Sequence, residues 1–211
     1  MSSQPKYLSG LPLVLLTMAL SLAVFMEVLD TTIANVALPH IAGDLGAATS
    51  QGTWVITSFA VANAISVPLT GWVARRFGEV RLFLTAVLMF VITSWLCGIA
   101  HNLTALILFR TLQGLFTGPL IPLSQSLLLA AYPPHRRHLA LAFWGMTVIT
   151  APILGPIIGG YISDRVQWGW IFFINVPIGI LAFLLARYFL NGRETQTERH
   201  PIDTVGLVLM V

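Results

Sequence analysis

Three ionisable residues stand in stretches otherwise suited to hydrocarbon. Glu27 and Asp30 lie in Phe25-Met-Glu-Val-Leu-Asp-Thr-Thr-Ile33, and Arg110 lies in Leu106-Ile-Leu-Phe-Arg-Thr-Leu112. A charge at the centre of a membrane helix costs roughly 2.5–3.5 kcal/mol on insertion scales. Lipid-facing positions are therefore disfavoured, and mutual pairing or an internal cavity is the economical arrangement. Residues three apart overlie each other on a helix, so Glu27 and Asp30 share a face. Two carboxylates and one guanidinium cannot all stay charged in low dielectric. One carboxyl is expected as the neutral acid, and such a group can carry a proton. A structural ion pair that only fixes helix packing is the competing reading, but it leaves the second acid without a purpose. Asp30, Glu27 and Arg110 are thus the candidate proton-coupling residues, with either acid binding the proton and Arg110 tuning its affinity.

The elements that must position them follow from composition. Of 211 residues, 56% are hydrophobic and 9% charged, against roughly a quarter charged in an average soluble domain. With a mean hydropathy of +0.84, the chain reads as an all-α polytopic membrane protein. Six runs reach the roughly 20 apolar residues a spanning helix needs: 13–38, 53–74, 82–100, 103–131, 139–161 and 171–190. Residues 1–12 form a tail, 191–201 a polar loop, and 202–211 the beginning of a seventh, truncated helix. The chain is therefore expected to be a fragment of a longer product.

Orientation follows from Lys and Arg. With the N-terminus in the cytoplasm, Lys6, Arg75, Arg76, Arg81, Arg136, Arg137, Arg187, Arg193 and Arg199 lie inside, and only Arg165 lies outside. The net charge of +3 is thereby explained as topology. Nucleic-acid binding has no support, because these residues are dispersed over separate turns with no aromatic platform. At about 1.5 Å rise per residue, Asp30 lies about 12 Å from the outer end of helix 1 and Arg110 about 10 Å from that of helix 4. The opposite charges can therefore pair if the two helices are neighbours.

Helix 5 carries Gly145, Pro152, Gly155, Pro156, Gly159 and Gly160. The prolines each remove a backbone donor and are expected to kink it. The glycines are expected to admit a neighbouring backbone, as are Gly114 and Gly118 on helix 4. Asn35, Asn63 and Gln113 are candidate cavity-lining groups, and Asn175 suits either a cavity or an interhelical hydrogen bond. Cys97 reads as a small core residue, and His40 and His101 as outer-interface residues. CxxC and HExxH spacings are absent, so no metal site is expected.

Several segments, in order along nearly the whole chain, resemble one known family. Leu29-Asp-Thr-Thr-Ile-Ala-Asn-Val-Ala-Leu-Pro39 looks like the helix-1 signature of drug:proton antiporters of the major facilitator superfamily. Arg110-Thr-Leu-Gln-Gly114 resembles the helix-4 motif, whose arginine is held to take part in proton coupling. Ala151-Pro-Ile-Leu-Gly-Pro-Ile-Ile-Gly-Gly160 looks like the helix-5 antiporter motif, with Ala151, Pro152, Gly155, Pro156, Gly159 and Gly160 at its positions. Trp168-Gly-Trp-Ile-Phe-Phe-Ile-Asn-Val-Pro-Ile-Gly179 is similar to the entry to helix 6 in the branch with fourteen spanning helices, and Gln51-Gly-Thr-Trp-Val-Ile-Thr-Ser-Phe59 fits the same branch. One departure stands in the loop after helix 2, where the superfamily pattern is G-x-L-A-D-R-x-G-R-[RK]. Gly71, Arg75, Arg76 and Gly78 occupy it here, with Arg75 where Asp is expected. The loop's usual charge lock is not carried over.

The resemblance implies the six-helix N-terminal bundle of a major facilitator fold, built from two inverted three-helix repeats with helices 1 and 4 lining a central cavity. It implies export of lipophilic drugs or toxic compounds across the bacterial inner membrane in exchange for protons. No cofactor is implied, the proton gradient being the energy source. In bacteria with two membranes it implies a periplasmic adaptor and an outer-membrane channel as partners. A solute:proton symporter is the alternative that the helix-5 motif opposes, and a truncated or non-transporting membrane protein is the other. A phosphate-cradling GxxxxGK[ST] loop is absent, as is any Ser-His-Asp arrangement, so neither an ATP-driven pump nor an enzyme is expected.

Overall fold

A computed structural model describes residues 7–195 and 197. The expected seventh helix at 202–211, the first half of the 1–12 tail with Lys6, Arg199 and the distal part of the 191–201 loop lie outside the described residues. Among the described residues every regular element is a helix. Six are long and apolar enough to cross a membrane: α1 (Leu11–Asp44), α2 (Thr49–Phe77), α3 (Glu79–Gly98), α4 (Leu103–Ala131), α5 (Pro134–Arg165) and α6 (Trp170–Leu190). The protein is embedded in a membrane.

Local sequence explains where the helices stop and start. Helix α1 continues past its predicted end at 38, through Pro39, to Asp44. It closes at Gly46, whose φ of 63° suits a residue without a side chain. There Gly46 N–H donates to Gly43 O (3.1 Å) and Ala47 N–H to Ala42 O (2.9 Å), a pairing that satisfies the last free carbonyls. The connection between the first two expected spans thus shrinks to a turn. At the start of α4, Asn102 accepts a hydrogen bond from Ala105 N–H at 2.8 Å, which caps the helix. Helix α4 is broken between Leu103–Thr117 and Leu120–Ala131, where Pro119 lacks an N–H. Helix α5, by contrast, runs through Pro152 and Pro156 without a break in its helical assignment.

Packing follows an exchange pattern. Helix α1 packs most extensively on α5, and α2 on α4; α1 then meets α6, as α4 meets α3, while α3 and α6 meet each other. Leu16, Leu20, Phe83, Phe90, Leu120 and Leu127 belong to one apolar core. Leu29, Ile33, Val55, Leu106, Trp168 and Phe172 belong to a second. A layer of buried polar side chains lies where the two cores meet.

Candidate functional site

The polar layer is assembled from four helices. Asp30 of α1 and Arg110 of α4 are 1% and 0% exposed, and Arg110 Nη1 lies 2.5 Å from Asp30 Oδ2. The same nitrogen donates to Gln113 Oε1 at 2.8 Å, and Arg110 Nε donates to Val55 O at 3.3 Å. The guanidinium carbon sits 4.1 Å from the centre of the Phe59 ring and 5.5 Å from that of Phe172, so aromatic faces replace part of its lost hydration. Asp30 Oδ1 accepts from Asn175 Nδ2 of α6 at 2.8 Å and from Gln113 Nε2 at 3.4 Å. The second Asn175 N–H goes to Ser94 Oγ of α3 at 3.0 Å. Arg110 Nη2 is buried with no hydrogen-bond partner among the described residues, so the buried carboxylate and guanidinium are tolerable in a dry interior only as a pair.

The sequence left open which acid pairs with the guanidinium, and Glu27 is placed apart from it. Its side chain is 6% exposed, and its polar contact is Asn63 Nδ2 of α2 at 3.5 Å. Oε2 is buried with no hydrogen-bond partner. The structure therefore joins Asp30 to Arg110 and leaves Glu27 as a buried acid with no cation beside it among the described residues. Gln113, expected to line a cavity, is fully buried inside the ion-pair layer, and Cys97 Sγ lies 3.6 Å from its Oε1. Asn35 is exposed and donates to Thr31 O of its own helix at 2.8 Å, apart from the layer.

Helix α5 presents its motif on two faces. Ala151, Gly155 and Gly159 are buried at successive four-residue steps, whereas Pro152 and Pro156 face outward. A side chain on Gly155 would collide with Thr32, and one on Gly159 would come within 3.2 Å of Ile33 Cα. Both contacts are on α1 within three residues of Asp30. Gly145 and Gly160, expected to admit a neighbour, face open space instead. On α4, Gly114 and Gly118 meet α2 at Phe59 O and Ser66, one and two turns beyond Arg110.

The α2–α3 loop also differs from expectation. Helix α2 extends through Arg75 and Arg76, both exposed, where cations complement a helix C-terminus. Arg76 lies over the Trp72 ring at 5.5 Å, and Gly71 has no neighbour that a side chain would meet. The turn is Gly78 alone, with a φ of 99°. The acid this loop lacks comes from beyond α6: Glu194 accepts from Val80 N–H (2.9 Å) and Arg81 N–H (3.0 Å), capping α3. Thr195 Oγ1 accepts from Glu79 N–H at 3.1 Å. Sequence reasoning assigned no role to Ser94, Phe59 or Glu194, and left Asn175 undecided. A lone amide in the apolar run Ile171–Pro177 was the available signal.

Comparisons with known proteins bear on this architecture. The Major Facilitator Superfamily profile matches residues 20–205. The chain is 66% identical over 204 residues to multidrug export protein EmrB of Haemophilus influenzae, covering 97% of this chain and 40% of that protein. It is 65% identical over 208 residues to EmrB of Escherichia coli K12, covering 99% of this chain and 41% of the relative. Identity to the fatty acid resistance protein FarB of Neisseria gonorrhoeae is 66%, with 97% of this chain and 40% of that one covered. The chain thus spans about two fifths of the length of these relatives. Among solved structures, a peptide transporter POT bound to sulfate superposes with a TM-score of 0.78 at 18% identity, over 96% of this chain and 44% of that one. A bacterial homologue of the lysosomal transporter Spinster, inward-facing and unoccupied, gives 0.68 at 22% identity, over 93% and 47%. These structures share the fold. With the superfamily profile spanning nearly all of α1 to α6, the chain belongs to the Major Facilitator Superfamily.

Proposed function

We propose that this chain is the first bundle of a proton-coupled exporter of lipophilic drugs or toxic compounds, lying in a bacterial inner membrane with its N-terminus in the cytoplasm. The relatives' names, multidrug export and fatty acid resistance, support the substrate class. The clustering of Arg75, Arg76, Arg81, Arg136, Arg137, Arg187 and Arg193 at one end of the helices supports the orientation. The exchange packing of α1–α5 with α2–α4 and of α1–α6 with α4–α3 supports two three-helix repeats. The carrying observation is the Asp30–Arg110 pair beside a second buried acid that has no cation among the described residues.

In this reading Asp30, the acid paired with Arg110, exchanges the coupling proton, and Glu27 is the second acid beside it. A proton reaching Asp30 removes the charge that holds α1 to α4. Arg110 then keeps only Gln113 Oε1, Val55 O and the aromatic faces, and the two helices are released to repack. The glycine face of α5 lies against Thr32 and Ile33, so α1 repacks along a contact that has no side chain at those two positions. Energy comes from the proton gradient, with no cofactor, and no enzymatic step is involved. A periplasmic adaptor and an outer-membrane channel are the partners this reading adds.

The test is drug efflux by the full-length protein in everted vesicles, with and without a proton gradient. Asp30→Asn is expected to abolish gradient-driven efflux while the protein stays inserted. Normal transport by both Asp30→Asn and Glu27→Gln would overturn the proposal.

A further inference from the structure

Asn175 occupies a place in the polar layer that the ion pair alone does not require. It sits at the start of the longer segment of α6, Asn175–Leu190, and is fully buried. Both hydrogens of its amide are committed: one to Asp30 Oδ1 at 2.8 Å, the other to Ser94 Oγ at 3.0 Å. Ser94 is oriented in turn by donating to Phe172 O at 2.9 Å. This pins the amide, since turning it over would set its carbonyl oxygen against the Asp30 carboxylate and leave Ser94 without a donor. Asn175 Oδ1 itself has no hydrogen-bond partner among the described residues. An unsatisfied buried carbonyl is costly, so the donor end, directed at Asp30, is what the position is built around.

We propose that Asn175 is a positioning residue for proton coupling, held by Ser94 so that its amide donates to Asp30 and sets how readily that carboxylate takes a proton. This rests on the reading of Asp30 as a proton carrier. The other charged or titratable groups facing Asp30 among the described residues are Arg110 from α4, Glu27 from α1 and Cys97 from α3. From α6 the contribution is the neutral amide, and from α2 the neutral Phe59 and Asn63. Arg110 neutralises the carboxylate, while Asn175 adds a neutral donor on its other oxygen. A hydrogen bond to the charged form favours that form, so losing it makes Asp30 easier to protonate.

The experiment measures the pH midpoint of drug efflux by the full-length protein in proteoliposomes. Asn175→Leu, close in size and without a donor, is expected to move the midpoint toward alkaline pH by about one unit, the scale of a charge-assisted hydrogen bond. Ser94→Ala should move it the same way by less, because the amide remains but is no longer pinned. Efflux lowered equally at every pH with an unmoved midpoint would show a merely structural role and overturn the proposal, as would unchanged efflux. If Asn175→Leu does not insert, the milder Ser94→Ala decides, with an unmoved midpoint counting against the proposal. Asp30→Asn run alongside separates the two readings. If it keeps a normal pH profile, the proton-carrier reading fails. If it loses pH-dependent efflux while Asn175→Leu and Ser94→Ala leave the midpoint in place, only the role of Asn175 fails.

Discussion

A double-mutant cycle on Asp30 and Arg110 should read out large and strongly non-additive destabilisation. Both side chains are almost wholly buried, at 1% and 0% exposed, so removing one leaves the other as an uncompensated charge. Breaking a buried pair in this way costs about 3–5 kcal/mol. In Asp30→Asn the guanidinium still has Gln113 Oε1, Val55 O and the Phe59 ring, which places that variant in the lower half of the range, about 3–4 kcal/mol. In Arg110→Met the Asp30 carboxylate keeps the Asn175 and Gln113 amides but loses its only close cation. The double variant removes both charges and replaces the guanidinium with an apolar chain of comparable length, so it should lie within about 1–2 kcal/mol of the wild type. With about 2–4 °C per kcal/mol for a chain of this size, each single variant should lower Tm by about 6–20 °C, and the double by far less than the sum. Intrinsic fluorescence of the six tryptophans during thermal unfolding in lipid nanodiscs measures all four proteins. Additive losses would refute the claim that these charges are energetically coupled.

Two further substitutions test how the helices are held. Gly159→Ala should destabilise by about 1–3 kcal/mol, because its new carbon would sit 3.2 Å from the Ile33 backbone. Gly160→Ala, one residue on and facing open space, should be neutral or slightly stabilising; equal losses in Tm would contradict the placement of that face. Glu194→Ala should cost about 1 kcal/mol by uncapping α3. Arg81→Ala should cost little, since its 3.7 Å contact with Glu194 is on a side chain 77% exposed and such pairs contribute little. A Tm loss for Arg81→Ala matching that of Glu194→Ala would mean the ion pair, and not the cap, is what matters.

The number and rough limits of the membrane helices were legible because each is a long apolar run, and α4 was read to its observed limits. Helix ends were less legible than the spans themselves. Pro39 does not end α1, because the next turn still closes on Gly46. The pairing of Asp30 with Arg110 could be anticipated from depth alone, since opposite charges in antiparallel helices of similar span meet at similar height. The fate of Glu27 could not. Three residues along a helix share a face only approximately, and here that offset turns Glu27 toward Asn63 of α2 and away from the guanidinium. Glycine contacts were legible as a class but not by position, because Gly159 and Gly160 are adjacent in sequence and separated by the turn of the helix. Glu194 lies more than 110 residues from the backbone it caps, a separation no local pattern bridges.

The site's placement ties its chemistry to its packing. On α4, Arg110 leads to Gly114 and Gly118 at four-residue steps, and those glycines rest on Phe59 and Ser66 of α2. On α1, Asp30 precedes Thr32 and Ile33, on which Gly155 and Gly159 of α5 rest. Each member of the pair therefore sits beside a contact made at glycines, which present no side chain to oppose sliding. Close-packed interlocked side chains oppose such displacement, because moving them opens voids. The charge pair is the directional restraint at this height of the bundle, so neutralising Asp30 removes the interaction that most specifically fixes α1 against α4. An ion pair set in the middle of a fully interlocked core would instead leave the helices held by packing after the charge was gone. Under the proposed proton coupling, the glycine faces on α4 and α5 are what let a change of one proton alter how whole helices are held.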